Sequence, residues 1–177
     1  MLTQNGRNAI AGQIAAVASG GNPGRLPIVD RTGSTFYYVG RSSGSGRSWP
    51  ANQTQALTFG LLDGIVVGSG NAPATLSDYD LDDQITTGLT GAVTVSTGID
   101  TSGNIYLNFD VVFTNTSNAD ITIREIGISD VIYCATSAGD TSPSSKHALV
   151  DRTILETPVT IAAGDNETIR YRITPAW

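Results

Sequence analysis

Residues 105–114 read Ile-Tyr-Leu-Asn-Phe-Asp-Val-Val-Phe-Thr, and their alternation decides the fold class. Every second position from Ile105 to Phe113 is apolar, and the positions between are mostly polar. Successive side chains of a β-strand point to opposite faces, so this pattern predicts a strand with one face against a hydrophobic core. Phe109 and Phe113 are expected to be buried, whereas Asn108, on the opposite face, is expected to contribute little to stability.

The composition favours the same class. The chain has 22 Thr, 16 Ser, 20 Gly and 7 Pro among 177 residues, but three Glu and a single Lys. Thr is typical of strands, and Gly, Pro and Ser are typical of turns. A net charge of −6 argues against nucleic acid or an anionic membrane as a partner. No apolar run approaches the roughly 20 residues of a membrane helix.

Several further strands are predicted, separated by turn residues. They lie at 35–39, at 65–67, around 93–95, through 149–150, around 159–161 and at 169–173. Strands at a spacing of about 8–12 residues are typical of sandwiches. We therefore predict an all-β domain: an antiparallel β-sandwich, jelly-roll or immunoglobulin-like, with one short N-terminal helix. Residues 1–177 form a single domain in this interpretation, with the sandwich core at 57–175.

The N-terminal segment 1–20 is predicted to contain the helix, over residues 2–18. Thr3 is a suitable N-cap. Apolar side chains recur on one helical face, at Ile10, Ile14 and Val17. The segment either closes one end of the sandwich or is an arm that docks on a neighbouring subunit, in which case Ile10 and Ile14 are candidate contacts.

Residues 41–53 are predicted to form an exposed loop that carries Arg41, Arg47 and Trp49. The loop is either a plain surface excursion or a contact loop, because Arg and Trp are enriched at interface hot spots. Arg170 and Arg172 are expected to project from one face of the last strand, with Ile169, Tyr171 and Ile173 facing inward. The two arginines are either solvated and paired across the sheet, or they meet the acidic loop of a second copy.

Residues 121–128 break the strand alternation. Ile121 and Ile123 share one face, but Ile126 and Ile128 fall on the other. Either a bulge near 124–125 shifts the phase, or the strand is covered on both sides. Glu125 is expected to bond the backbone of a turn or Arg152.

No catalytic constellation is recognisable, and we predict no enzyme activity, cofactor or metal. The lone Cys134 is expected to be a small buried hydrophobe and not the partner of His147 in a catalytic dyad. The run Asp78, Asp80, Asp82 and Asp83 has the ligand spacing of calcium loops. The later loop positions do not match, and we expect a solvated acidic loop instead.

Three parts of the chain together have a familiar order. Residues 65–81 contain Ile-Val-Val-Gly-Ser-Gly and, further on, Ser-Asp-Tyr-Asp-Leu; residues 123–128 read Ile-Arg-Glu-Ile-Gly-Ile. The closing part has Leu-Val-Asp-Arg-Thr-Ile-Leu at 149–155, Pro-Val-Thr-Ile-Ala-Ala-Gly at 158–164 and Thr-Ile-Arg-Tyr-Arg-Ile at 168–173. This order resembles that of small structural proteins of tailed bacteriophages.

The resemblance covers residues 57–175, and residues 28–56 have no counterpart in it. It implies a non-enzymatic β-sandwich component of a virion, from the tail, neck, baseplate or capsid surface. Its partners would be copies of itself in a symmetric oligomer and other virion proteins. The alternative is a module that binds carbohydrate on a host surface, with Tyr37, Tyr38 and Trp49 as stacking platforms.

Overall fold

The computed structural model describes residues 2–18, 26–38, 64–136 and 144–174. Within these ranges the chain has one helix and eight strands, which confirms the predicted all-β class with a single N-terminal helix. The elements are α1 (Gln4–Ala18), β1 (Pro27–Val29), β2 (Thr35–Tyr38), β3 (Gly64–Gly68), β4 (Leu89–Ile99), β5 (Ile105–Asn115), β6 (Ile121–Ala135), β7 (Ser144–Ile161) and β8 (Asn166–Ile173).

The strands form two antiparallel sheets. In the five-stranded sheet, β6 is central, because Ile128 pairs with Ile65 of β3 on one side and with Asp151 of β7 on the other. β2 also pairs with β6, and β1 continues the sheet beyond β2. The second sheet has the order β4-β5-β8. The main hydrophobic core contains buried side chains from both sheets.

The facing predicted for β5 is confirmed at its centre. Phe109 and Phe113 are fully buried, and the Phe109 ring lies 6.2 Å from that of Tyr171. The same face is open at the hairpin end, where Ile105 is 57% exposed. Asn108 lies on the opposite face, as predicted, but it is buried, and its Oδ1 accepts a hydrogen bond from Arg172 Nε at 2.8 Å. Its small contribution to stability stays a prediction.

The sandwich extends N-terminal of the predicted boundary at residue 57. β2 pairs with β6 through Tyr37 and Ala135, and Ile28 of β1 is fully buried in the main core. The segment before residue 57 therefore supplies two strands of the five-stranded sheet.

The two strands predicted at 149–150 and 159–161 are one long strand, β7. Its pairing with β6 shifts twice. At the first shift, Leu149 pairs with Ser129 and Asp151 pairs with Ile128, which leaves Val150 as an extra residue on β7. Such a bulge frees backbone groups from the ladder.

The start of α1 binds to the backbone carbonyl groups at the Val150 bulge. The Thr3 backbone N–H donates to the carbonyl oxygen of Val150 at 3.1 Å, and the Thr3 hydroxyl lies 2.7 Å from the carbonyl oxygen of Leu149 and 3.0 Å from that of Val150, so it donates to this pair of carbonyls. Thr3 Oγ1 also accepts from the Gly6 N–H at 3.2 Å, which confirms the predicted N-cap. A Cβ atom on Gly6 would lie 2.3 Å from the Val150 oxygen, so only glycine allows this approach.

The first turns of α1 pack on the chain's own sheet. Their buried residues are Thr3, Asn5, Gly6, Asn8 and Ala9. Of the two alternatives for the segment 1–20, the structure favours the helix that closes the sandwich. Ile10 is half-buried, and the side chain of Ile14 lies outside the described part. No helix in the described ranges is long and apolar enough to cross a bilayer.

Candidate functional site

One part of each of the three segments that carry the resemblance lies on the outer face of the five-stranded sheet. Residues 69–83, here called the corner loop, follow β3 and lie against Glu125 of β6 and Arg152 of β7. The Glu125 carboxylate is fully buried and accepts the backbone N–H groups of Asp82 at 3.2 Å and Asp83 at 2.9 Å. Glu125 therefore holds the end of the corner loop to the sheet.

A register shift in β6 places Glu125 on this outer face. Pairing with β7 is irregular between Ile123 and Glu125, as predicted for residues 124–125. The shift allows Ile123, Ile126 and Ile128 to share the main core. The outer face is covered too, because Leu81 of the corner loop forms a second small cluster there with Val66 and Leu149. β6 therefore has both the register shift and the cover on two sides that the sequence left as alternatives.

Arg152 ties three parts of the chain together. Its Nε donates to Glu125 Oε2 at 2.8 Å, one Nη donates to Asp78 Oδ2 at 2.6 Å, and the other donates to the Ala72 carbonyl at 3.1 Å. The predicted bonding of Glu125 to a turn backbone or Arg152 is confirmed on both counts. Burial alone would lower the pKa of Arg152, but the two carboxylates outweigh it and raise that pKa.

Gly68 makes room for this cluster. It lies opposite Glu125 in the β3–β6 ladder. A Cβ atom at residue 68 would lie 2.3 Å from Glu125 Oε1 and 2.5 Å from the carbonyl oxygen of Asp83. The end of β3 therefore requires glycine at residue 68 because of close packing against the carboxylate.

The acidic run in the corner loop is partly paired within the chain. Asp78 accepts from Thr75 as well as Arg152, and Asp80 accepts from Arg31 Nε at 2.7 Å. The expectation of a solvated loop is correct for Asp82 and Asp83, which are exposed, and wrong for Asp78 and Asp80, which are half-buried. Long-range ion pairs to Arg31 and Arg152 account for the difference.

The Asp78 carboxyl titrates below its ordinary range. Burial alone would raise its pKa, but hydrogen bonds from Thr75 and the adjacent Arg152 guanidinium outweigh it and lower that pKa. In the described ranges no group of three or more His, Cys, Asp and Glu side chains is placed to hold a metal ion.

Cys134 is buried in β6, where it pairs with Ser144 of β7. Burial raises the pKa of its thiol to about 12. The thiolate is the reactive form of cysteine, so this environment disfavours nucleophilic chemistry at Cys134. His147 lies on β7, where it pairs with Val131 of β6 and not with Cys134.

The predicted interface residues fall into two groups. Arg170 and Arg172 are exposed on the outer face of β8, as predicted. Arg170 pairs across the sheet with Asp110, its Nε 2.6 Å from Oδ1, and Arg172 lies 4.2 Å from the centre of the Tyr106 ring. Arg41, Arg47 and Trp49 lie outside the described residues, and the interface roles of all these side chains stay predictions.

Sequence reasoning missed two features of this region. Arg31 lies 49 residues before its partner Asp80, and no motif connects them. The amide side chains of Asn5 and Asn8 are three positions apart on α1, a visible signal of a shared polar face. The sequence did not identify their partners, which are the backbone of Val29 and Pro27.

The contacts of Asp78, Glu125 and Arg152 hold the corner loop to the sheet and do not form an open reaction site. The guanidinium and the two carboxylates are bonded to one another and to loop backbone. No family model matches the chain, and no curated protein or solved structure is significantly similar to it.

Proposed function

We propose that this chain is a non-enzymatic structural protein of a phage virion that packs symmetrically with itself and with neighbouring tail, neck, baseplate or capsid-surface proteins. One observation carries the proposal. The segments that resemble phage structural proteins lie far apart in sequence, yet Gly68, Glu125 and Arg152 meet in one buried cluster. This supports a shared fold-forming motif instead of three chance similarities.

The use of polar side chains supports a structural role. Thr3, Asn5 and Asn8 bond backbone groups of strands, and Glu125 and Arg152 bond a loop. These polar groups are occupied in holding the fold together. Apart from Ser129 Oγ, the buried polar side-chain atoms of the described residues have hydrogen-bond partners, and a sandwich held in this way is well suited to repeated packing.

Assembly is the property to test. Light scattering of the purified chain over a wide concentration range should give a mass that is a multiple of the monomer mass. The chain should also bind to phage particles that lack it. A chain that stays monomeric at high concentration and does not bind such particles would overturn the proposal.

A host-surface carbohydrate is the second candidate partner. A cleft of about 310 Å³ lies between the start of α1 and the corner loop, and its lining includes Gln4, Asn5, Asp78 and Tyr79. Tyr79 is 43% exposed, and an exposed ring beside amide and carboxylate groups suits a sugar. Tyr37 is half-buried, the side chain of Tyr38 is not described, and Trp49 lies outside the described residues.

A glycan array separates the two candidates. Binding that is lost in Tyr79→Ala but kept in Tyr106→Ala would favour the carbohydrate module. An array without binding, together with a concentration-dependent mass, favours the assembly protein.

A further inference from the structure

Among the residues that the structure describes, β4 is an edge strand of the three-stranded sheet. All eleven residues of β4 pair with β5, from Leu89 opposite Asn115 to Ile99 opposite Ile105. In the part of the chain that the structure describes, β5 is the only strand that pairs with β4. Alternate residues of an edge strand point their N–H and C=O groups away from the neighbouring strand, ready to pair with another strand.

Two edges of the five-stranded sheet are covered by the chain's own groups. On β1, the Asn5 amide donates to the Val29 carbonyl at 2.7 Å and accepts from the Val29 N–H at 2.8 Å. On β3, the Ile85 N–H donates to the carbonyl of Val67 at 2.9 Å, and Gly68 forms a bridge with Gln84. Neither edge is free to accept another strand along its length.

The remaining edges carry residues that oppose strand pairing. Leu2 bridges to Asp151 on β7, and farther along β7 the chain has Glu156 and Pro158. β8, at the opposite edge of the three-stranded sheet, has charged side chains at Glu167, Arg170 and Arg172. Charged residues and proline are the usual means of blocking edge-to-edge association.

Within the described ranges, β4 has no such protection. It reads Leu-Thr-Gly-Ala-Val-Thr-Val-Ser-Thr-Gly-Ile, without a charged residue or proline. Val95 is 42% exposed and Ile99 is 70% exposed. Both share a face with the exposed Ile105 of β5, so apolar surface borders the free edge.

We propose that β4 joins two copies of this chain by pairing antiparallel with β4 of the second copy, which continues the two small sheets into one. This contact rests on the proposed function, in which the chain packs with itself. It identifies the β4 edge as the surface through which two copies pack. Full overlap of the eleven residues places Thr94 opposite Thr94 on a two-fold axis. In that register Val95 faces Val93 of the second copy, and Ile99 faces its Leu89.

The observations favour a second copy over an unrelated partner. The overlapped register is self-complementary, because the two large exposed apolar side chains, Val95 and Ile99, each meet a half-buried apolar one. Two copies with a net charge of −6 repel each other in general. An uncharged edge is the place where they approach at the lowest electrostatic cost.

The double variant Ala92→Lys/Ser96→Lys tests the contact. Both positions are exposed and lie opposite the uncharged Val112 and Asn108 of β5. In the two-fold register, residue 92 of one copy faces residue 96 of the other, so four lysines gather at the contact. Sedimentation velocity should show self-association of the unmodified chain and a dissociation constant at least about tenfold larger for the variant.

Two comparisons make the test specific. Asn166→Lys/Thr168→Lys adds the same charge to β8, on the same face of the same sheet, and should associate like the unmodified chain. Mixing the lysine variant with Ala92→Glu/Ser96→Glu should restore a heterodimer, because opposite charges then meet across the two-fold axis. Thermal melts establish that each variant is folded.

Hydrogen–deuterium exchange tests the β4 contact on the unmodified chain. The amides of 89–99 should become more protected as the concentration rises. If the chain associates, but the lysine variant associates equally well and these amides gain no protection, β4 is not the contact and the proposed function stands. If the chain is monomeric but binds particles that lack it, the β4 contact is likewise overturned. If it is monomeric and binds none, both proposals fall.

Discussion

Glu125 and Arg152 lie on neighbouring strands, and the Arg152 Nε donates to Glu125 Oε2 over 2.8 Å with both side chains almost fully removed from solvent. Each of the two side chains also bonds the corner loop. Removing either partner would leave the other charge buried and uncompensated, so the pair has large consequences for stability.

Arg152→Met is expected to lower the free energy of unfolding by about 3–5 kcal/mol, because it leaves Glu125 without its counterion. Glu125→Gln should also be strongly destabilising. The double variant should lose less than the sum of the two, by about 0.5–3 kcal/mol, because the residues are in direct contact. Urea unfolding of all four proteins measures this cycle. Arg170→Met, at an exposed ion pair, is the control and should change stability little. Equal losses of stability in Arg152→Met and Arg170→Met would contradict the importance of the buried pair.

Gly6→Ala is expected to destabilise the protein. In a helix interior this change normally stabilises by about 1 kcal/mol. Here the new methyl group would lie 2.3 Å from the Val150 carbonyl oxygen, which Thr3 already bonds. Thermal unfolding should show a lower midpoint for Gly6→Ala and almost no change for Arg7→Ala, which is exposed on the same helix. A higher midpoint for Gly6→Ala would show that α1 does not dock closely on β7.

Acid should weaken the fold partly through Asp78. The pKa of Asp78 is lowered in the folded state, so the unfolded chain binds the proton at a higher pH than the folded chain. The contribution of Asp78 is therefore fully present above the unfolded pKa of about 3.9 and is lost as the pH falls through the folded value.

The measurement is the urea midpoint between pH 7 and pH 2.5. Asp78→Asn should be less stable at neutral pH and should show a flatter acid limb than the unmodified chain. Glu156→Gln, on an exposed stretch of β7, serves as the control. An acid limb of unchanged slope in Asp78→Asn would contradict the assigned ion pair.

Phe109→Ala is expected to cost about 3–5 kcal/mol, because it opens a cavity in the main core beside Tyr171. Val112→Ala, at an exposed position on the other face of β5, should change stability by less than about 0.5 kcal/mol. Denaturant unfolding compares the two. Similar losses would mean that the faces of β5 are assigned incorrectly.

The sequence by itself determined the features that depend on nearest neighbours along the chain. Alternation in 105–114 and 169–173 identified which side chains of β5 and β8 face the core, because side chains with a period of two share one side of a strand. The phase break at 124–125 located the register shift. It also singled out Glu125, because a carboxylate at a covered position needs hydrogen-bonding partners.

The tertiary structure alone decided which distant groups meet. Arg31 pairs with Asp80, Arg152 pairs with Asp78, and the start of α1 docks through the polar side chains of Thr3 and Asn5 as well as through Ala9. Hydrophobic periodicity predicts which side chains of a segment are buried. A polar side chain instead binds where a bulge or a strand edge leaves backbone N–H and C=O groups unpaired. Those sites exist only after the strands have paired. The register of β6 with β7, and not any local pattern, therefore placed the helix and the corner loop.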